Sequence, residues 1–157
     1  LHYVNSQPEF DQIMAPDGAL AAAVQAQAAG KVRHIGITGH RPELLANWLG
    51  EFDFATVLFH LNPVQPFSAT ELLPRARELE VGTIAMRPVG SGAISRMSES
   101  IRYVHSHGVD VVLSGLTTPA IVDENVETLA APIEEPEQQI HQSCLASSAH
   151  ANNRDDF

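Results

Sequence analysis

Three short polar segments of this 157-residue chain carry groups suited to binding an anionic organic ligand. They are Thr38-Gly39-His40, Arg87-Pro-Val-Gly-Ser-Gly92, and the pair Thr117 and Thr118. Backbone N–H groups beside glycines approach phosphate oxygens closely, and an arginine adds a charge-assisted hydrogen bond. The two threonines precede a predicted helix, whose N-terminus also favours phosphate.

Each segment also has a purely structural interpretation. Gly39 permits a turn, and Arg87 pairs at a rim with one of the 19 acidic side chains. The Gly-Ser-Gly run is then a flexible loop, and Thr118 simply caps a helix while Glu124 stays in solvent. Residue types alone leave both interpretations open.

Composition narrows the class of partner. The chain is 44% hydrophobic and 18% charged, typical of a globular domain, and its net charge of −10 argues against nucleic acid and anionic membranes. No apolar run reaches the about 20 residues of a membrane helix. Cys144 is the single cysteine, which excludes an internal disulfide and indicates the cytoplasm. His105 and His107 stand at a spacing that does not share a helix face, so we expect no metal site.

The elements that must position these segments alternate between strand and helix. Strands are predicted at Val32–Ile37, Thr56–Leu61, Gly82–Met86 and Val109–Leu113, with Leu1–Val4 as the end of an earlier one. Helices are predicted from Ala19 to Ala29 (capped by Asp17 and ended by Gly30), from Pro42 to Gly50, from Leu72 to Leu79 after the capping box Ser68-Ala-Thr-Glu71, from Ser98 to His107, and from Pro119 to Leu129.

Continuous apolar strands in βα alternation predict an α/β fold with a parallel sheet covered on both faces. Ligands of such sheets lie at the carboxyl ends of the strands. Thr38 therefore falls on the functional side and Lys31–Arg33 on the opposite one. Residues 1–131 form the folded part, and the polar residues 132–157 are predicted as a tail with a short helix and then disorder.

The motifs "GKVRHIGITGH", "LNPVQ", "ELLPRARELEVGTIAMRPVGSG" and "VDVVLSGLTTPAIVDENV" occur in this order. Together they resemble the later half of the aldo-keto reductase family. The resemblance implies a (β/α)8 TIM barrel, here incomplete, whose five strands are the fourth to eighth. It also implies hydride transfer between NADP or NAD and an aldehyde or ketone, with NADP favoured slightly.

The resemblance assigns roles to residues at the nicotinamide end of the cofactor. His2 falls on the active-site histidine that polarises the substrate carbonyl. Thr38 and Gly39 match a Ser-Asn pair that binds the nicotinamide carboxamide, although glycine lacks the amide. Leu58 replaces a glutamine partner, and Met86 stands where many members stack a tyrosine.

The remaining assignments concern the phosphates and adenosine. The pyrophosphate-side loop of the family matches Arg87, Pro88, Gly90, Ser91 and Gly92. The adenosine site matches Thr117, Thr118, Glu124 and Asn125. Gly115 and Ile121 replace a lysine and an arginine that bind the 2′-phosphate in many members, which weakens the preference for NADP.

The family mechanism also needs an aspartate, a tyrosine and a lysine from earlier strands. Lys31 is the only lysine, and Tyr3 is expected to point away from His2 because strand side chains alternate. We therefore expect a C-terminal fragment of a longer reductase, inactive in isolation. Two alternatives stay open: a non-catalytic half-barrel that serves as a binding or regulatory module, and another TIM-barrel enzyme that binds a phosphorylated substrate. The sequence does not predict the oligomeric state.

Overall fold

The computed structural model describes residues 1–131 together with Gln142. The predicted helix and disorder of the 132–157 tail, and Cys144 within it, therefore lie outside the described residues. The chain divides into two compact units. The first comprises Leu1–Phe59 and Phe67–Ile84, and the second comprises His60–Pro66 and the chain from Ala85 onward.

Along the described chain, two helices precede the first strand, and each strand is followed by one or more helices. The helices are α1 (Gln7–Met14), α2 (Ala19–Ala28), α3 (Pro42–Trp48), α4 (Phe67–Thr70), α5 (Leu72–Glu78), α6 (Met97–Ser106) and α7 (Pro119–Ala130). The strands are β1 (Gly36–Thr38), β2 (Thr56–His60), β3 (Gly82–Met86) and β4 (Val111–Val112), hydrogen-bonded in the order β1-β2-β3-β4. β1 and β2 are parallel, with Gly36 opposite Thr56. The predicted α/β architecture of parallel strands and intervening helices is confirmed.

The first helix, α1, was not predicted, although the sequence carries signals for it. Ser6 is the N-cap and its hydroxyl accepts from the Glu9 N–H, while the Glu9 carboxylate accepts from the Asn5 N–H. Phe10 on this helix stacks on Trp48 of α3, with ring centroids 4.6 Å apart and 2° between the planes. Burial of these two rings fixes α1 in the first unit.

The predicted cap of α2 is displaced by one residue. Gly18, not Asp17, is the N-cap, and no side chain caps this end. A Cβ on Gly18 would lie 2.4 Å from the backbone oxygens of Gln12 and Ile13, so the turn after α1 requires glycine there. The predicted end is confirmed, because Gly30 has a φ of +70° and the Lys31 N–H reaches back to the Ala26 carbonyl.

The predicted capping box at Ser68 is wrong. Ser68 lies inside the short helix α4 and is buried, so its side chain is not at a helix start. The next helix, α5, has Glu71 as its N-cap, without a side-chain capping bond. The chain turns into helix earlier than the pattern indicates, at Phe67.

Two predicted strands are shorter in the structure. β1 is Gly36–Thr38, whereas the prediction was Val32–Ile37, and β4 is Val111–Val112, whereas the prediction was Val109–Leu113. The predicted fifth strand at Leu1–Val4 is not regular, since Tyr3 has a φ of +59°. It nevertheless lies along β1, because the Thr38 N–H donates to the Leu1 carbonyl at 2.9 Å.

Each unit has an apolar core of its own. Buried in the first are Val4, Phe10, Leu20, Ile35, Ile37, Leu45, Trp48, Leu49, Phe54, Val57, Phe59, Leu72, Leu73, Ala76 and Val81. Buried in the second are Leu61, Ala85, Ile94, Ile101, Tyr103, Val104 and Val109. Each large side chain removed from water in this way contributes about 1.5–3 kcal/mol. These cores hold the strand ends from which the candidate site residues project.

Candidate functional site

In the first unit, the carboxyl end of β1 places Thr38 against the N-terminal segment. The Thr38 carbonyl accepts from the Val4 N–H at 2.8 Å, and its hydroxyl oxygen accepts a long 3.5 Å bond from the Tyr3 N–H. A threonine hydroxyl carries one donor and two acceptor positions. Its O–H hydrogen is therefore still able to reach a ligand carbonyl oxygen.

Gly39, the next residue, is buried and has no room for a side chain. A Cβ placed on it would stand 2.3 Å from the Val4 carbonyl oxygen and 3.4 Å from a Leu45 methyl carbon. Its N–H donates to the Leu58 carbonyl at 3.3 Å. The asparagine of the family motif therefore has no space at this position while Val4 lies so close.

Three rings gather beside these residues. The Tyr3 and His40 rings meet edge to face with centroids 4.6 Å apart, and the His2 and Tyr3 centroids are 6.1 Å apart. The expectation that Tyr3 points away from His2 fails because the left-handed backbone at Tyr3 breaks strand alternation. His2 is exposed, and the His40 N–H donates to the Asn5 side-chain oxygen at 2.7 Å. His40 was predicted as part of the candidate segment Thr38-Gly39-His40 without a role of its own, and Asn5 was missed because the sequence carried no signal for it.

In the second unit, Met86 ends β3 half-buried and Arg87 follows it on the surface. Arg87 has a φ of +55°, a left-handed conformation that costs a non-glycine residue about 1–2 kcal/mol. Among the residues that the structure describes, no carboxylate pairs with the Arg87 guanidinium. A rim ion pair, one of the alternatives for this arginine, is thus not found in that part of the chain.

The loop that follows uses its glycines for conformation. Gly90, Ser91 and Gly92 have φ values of +56°, +61° and +94°. The Gly90 N–H donates to the Arg87 carbonyl and the Gly92 N–H to the Val89 carbonyl, each at 3.0 Å. The two glycine N–H groups are therefore engaged within the loop. The groups left to meet an anion are the exposed Ser91 and the Arg87 side chain.

Two buried side chains donate hydrogen bonds to the backbone of this loop. Pro88 is buried, and its carbonyl accepts a hydrogen bond from the buried Ser100 hydroxyl on α6. The Arg87 carbonyl accepts from the Asn62 side-chain nitrogen at 3.1 Å. Asn62 is fully buried, and sequence reasoning gave it no role although it lies in the quoted motif "LNPVQ".

The candidate residues around the start of α7 make different hydrogen bonds. The Thr118 hydroxyl oxygen accepts from the Ile121 N–H at 3.4 Å, so Thr118 caps the helix, and Thr117 before it is exposed. Glu124 accepts a 2.8 Å hydrogen bond from the Ser98 hydroxyl on α6. The predicted capping role of Thr118 is therefore observed, whereas Glu124 is tied to the neighbouring helix and does not simply stay in solvent.

Asn125 is the most informative residue of this segment. Only 9% of it is exposed, and within residues 1–131 and 142 neither polar atom of its side chain has a hydrogen-bond partner. A buried amide without partners costs about 1–3 kcal/mol per polar group. It borders a cavity of about 240 Å³ whose other walls are Ile101, Val112, Leu113, Ser114, Leu116, Val122, Val126 and Leu129. A planar group with both donor and acceptor edges would satisfy such an amide.

The residues that the structure describes contain neither a metal centre nor a membrane span. In the described part of the chain, no three histidine, cysteine or acidic side chains cluster closely enough to hold a metal ion. His107 instead places its Nδ1 atom 2.8 Å from the Tyr103 carbonyl. No helix among the described residues has the length and apolar character needed to cross a bilayer.

Comparison with known proteins identifies the class. The sequence profile of the aldo/keto reductase family matches residues 2–106, and the chain belongs to this family. No curated protein sequence matches it. The rival interpretation as a TIM-barrel enzyme of another family is therefore set aside.

Solved structures give the same fold. Aldo-keto reductase AKR11C1 from Bacillus halodurans, in its holo form, superimposes with a TM-score of 0.70 at 20% identity, covering 83% of this chain and 56% of that one. Glycerol dehydrogenase AKR11B4 from Gluconobacter oxydans superimposes with a TM-score of 0.70 at 15% identity, covering 92% and 57%. The chain thus spans little more than half the length of these neighbours.

Proposed function

We propose that this chain supplies the cofactor-binding part of an NAD(P)H-dependent aldo-keto reductase that acts on a small-molecule aldehyde or ketone. The observation that carries the proposal is the buried Asn125 amide, which lies beside an apolar cavity and has no hydrogen-bond partner among the described residues. The edge of an adenine ring presents a donor next to an acceptor, which an asparagine side chain matches in two hydrogen bonds. The apolar walls then cover the faces of the ring.

The charged part of the cofactor is assigned to the exposed groups of the second unit. Arg87 and Ser91 meet the diphosphate, and Thr117 and Thr118 lie at the N-terminus of α7, where negative charge is favoured. Neither Gly115 nor Ile121 brings a cation for a 2′-phosphate. NADP is favoured over NAD only slightly, on the family resemblance.

For the nicotinamide end, the family resemblance assigns one residue in each unit. In the first unit, the Thr38 hydroxyl would donate to the carboxamide. In the second unit, the Met86 thioether would cover a ring face. The bound nicotinamide supplies the hydride. His2 donates a hydrogen bond to the carbonyl oxygen of the substrate, where negative charge develops as hydride arrives at carbon.

The reaction also requires a proton on that oxygen. In the family mechanism a lysine assists the proton donor, and this sequence has no counterpart of that lysine near His2. Lys31 is the only lysine, and it is exposed just after α2. We therefore propose that the chain binds the cofactor but does not turn over a carbonyl by itself. Such behaviour also fits the second candidate, a non-catalytic binding or regulatory module. With a single cysteine in 157 residues, we propose the reducing cytoplasm as its location.

Titration calorimetry of the chain with NADPH, NADH and AMP tests the proposal. We expect all three to bind, and Asn125→Ala to weaken each by about tenfold or more because two hydrogen bonds to adenine are lost. Asn47→Ala, at an exposed asparagine in the first unit, is the matched control. Absence of binding by the unmodified chain would overturn the proposal.

Oxidation of NADPH in the presence of an aromatic aldehyde separates the two candidates. Dinucleotide binding without aldehyde-dependent oxidation favours the non-catalytic assignment for the isolated chain. Measurable oxidation that His2→Ala abolishes would show that the chain performs the reaction unaided.

A further inference from the structure

A buried asparagine outside the proposed cofactor contacts, Asn62, is hydrogen-bonded to the backbone of the loop that carries Arg87. Asn62 follows β2 and has no exposed surface. Its side-chain oxygen accepts from the Val64 and Gln65 N–H groups, both at 3.0 Å. These bonds close a tight turn and fix the orientation of the amide.

The other end of the same amide reaches the Arg87 loop. Its nitrogen donates to the Arg87 carbonyl at 3.1 Å and to the Gln65 side-chain oxygen at 3.3 Å. The Gly90 N–H donates to the same Arg87 carbonyl at 3.0 Å. Two donors therefore converge on one oxygen, and both acceptor and donor positions of Asn62 are in use.

This convergence has a conformational consequence at Arg87. Its left-handed φ of +55° is strained for a residue with a Cβ, and such a conformation persists only when its surroundings over-determine it. Asn62 and Gly90 set the orientation of the Arg87 carbonyl, and this orientation is the constraint that selects the left-handed conformation. The same constraint sets where the exposed guanidinium leaves the chain.

We propose that Asn62 is a positioning residue, which holds Arg87 in its left-handed conformation and thereby presents the guanidinium to the diphosphate of the ligand. The inference rests on the proposed function for its ligand. It involves no contact between Asn62 and the ligand itself. Its two parts, the backbone constraint and the effect on binding, are measured separately.

A double-mutant cycle with Asn62→Asp and Arg87→Gly tests the inference. Asn62→Asp keeps both acceptor positions and removes the donor to the Arg87 carbonyl. Arg87→Gly removes the guanidinium and makes the left-handed backbone unstrained, so the backbone no longer needs Asn62. Asn47→Asp introduces the same charge at an exposed asparagine and is the control.

Binding is measured with ADP-ribose, which contains the diphosphate, and with AMP, which lacks it. We expect Asn62→Asp to weaken ADP-ribose about tenfold and to leave AMP unchanged, because one charge-assisted contact is lost. In the Arg87→Gly background, Asn62→Asp has no further effect on ADP-ribose. An equal effect in both backgrounds would show that the new charge repels the ligand directly, which overturns the proposal, as would ADP-ribose affinity unaffected by Asn62→Asp.

The urea midpoint of the same four proteins tests the constraint without ligand. We expect Asn62→Asp to lower the midpoint more when residue 87 is glycine, because relief of the left-handed strain offsets part of the lost hydrogen bond only when residue 87 is arginine. Asn62→Ala takes its place if the aspartate variant does not fold. If the midpoint shifts of the two substitutions are additive, the two residues are not coupled and the proposal is overturned. If the unmodified chain binds neither nucleotide while the midpoints are coupled, the proposed function fails and the conformational role of Asn62 stands.

Discussion

The Val4 carbonyl oxygen lies 2.3 Å from the point where a Cβ on Gly39 would stand. Thr38 and Val4 are joined by a 2.8 Å backbone hydrogen bond, so the two segments are held together at this distance. A larger residue at position 39, such as the asparagine that the family resemblance implies, would therefore collide with the N-terminal segment as it lies along β1.

Substitution of Gly39 by alanine is expected to destabilise the chain. The added methyl meets backbone, which cannot rotate away, and overpacking of this kind costs about 1–3 kcal/mol. Urea unfolding followed by circular dichroism measures the loss. Gly115→Ala is the control, because nothing lies within 4 Å of a Cβ there, and equal stability of the two variants would contradict the steric account.

Phe10→Ala is expected to cost about 3–5 kcal/mol, the range for removing a buried aromatic ring. It also opens the stack with Trp48, the only tryptophan of the chain. The emission of Trp48 should therefore shift to longer wavelength under native conditions. Phe67→Ala, at a phenylalanine that is 46% exposed, should leave that emission unchanged. Unshifted emission in the Phe10 variant would argue against α1 lying on Trp48.

Glu9 predicts a dependence of stability on pH. The Asn5 N–H, and after it the Ser6 hydroxyl, hold the pKa of the Glu9 carboxyl below its ordinary value of 4.5. A lowered folded-state pKa stabilises the fold above the unfolded pKa, and this contribution is lost as pH falls through the folded value. The native chain should be more stable than Glu9→Gln by a constant free energy of unfolding from pH 7 to about 5. This difference should disappear as the pH falls below about 4.5.

Thermal unfolding of both proteins from pH 7 down to pH 3 checks this. Glu51→Gln, at an exposed carboxylate outside the turn, controls for net charge. A gap that widens as the pH is lowered would carry the wrong sign and contradict the assigned hydrogen bonds.

Asn125→Leu is expected to stabilise the chain in the absence of ligand. Leucine has the same number and branching of side-chain heavy atoms as asparagine, and it removes two buried polar groups that lack partners among the described residues. The free energy of unfolding should rise by about 1–3 kcal/mol. The affinity for AMP should fall at the same time, and Asn47→Leu should do neither. A less stable Asn125→Leu variant would mean that the amide is satisfied in the folded chain.

Elements with both a periodic apolar pattern and terminal signals were predicted well. β3 matches its predicted bounds, and α7 begins at Pro119 with Thr118 as its cap, because each signal acts within a few residues. The helix α1 carried similar signals in Ser6 and Glu9, which were not used. Where a strand is short, as in β4, its length depends on a partner elsewhere in the chain and the local pattern overestimates it.

The sequence by itself determined the alternation of strands and helices, the family, and the segments in which candidate site residues lie. Only the tertiary structure decided what those residues can do: that Gly39 has no room for a side chain, that the Gly90 N–H is already engaged, and that the Asn125 amide is buried without a partner in the described chain. The physical reason is distance along the chain. Capping and periodicity act over a few residues, whereas Val4 meets Gly39 and Asn62 meets Arg87 across 35 and 25 positions, respectively.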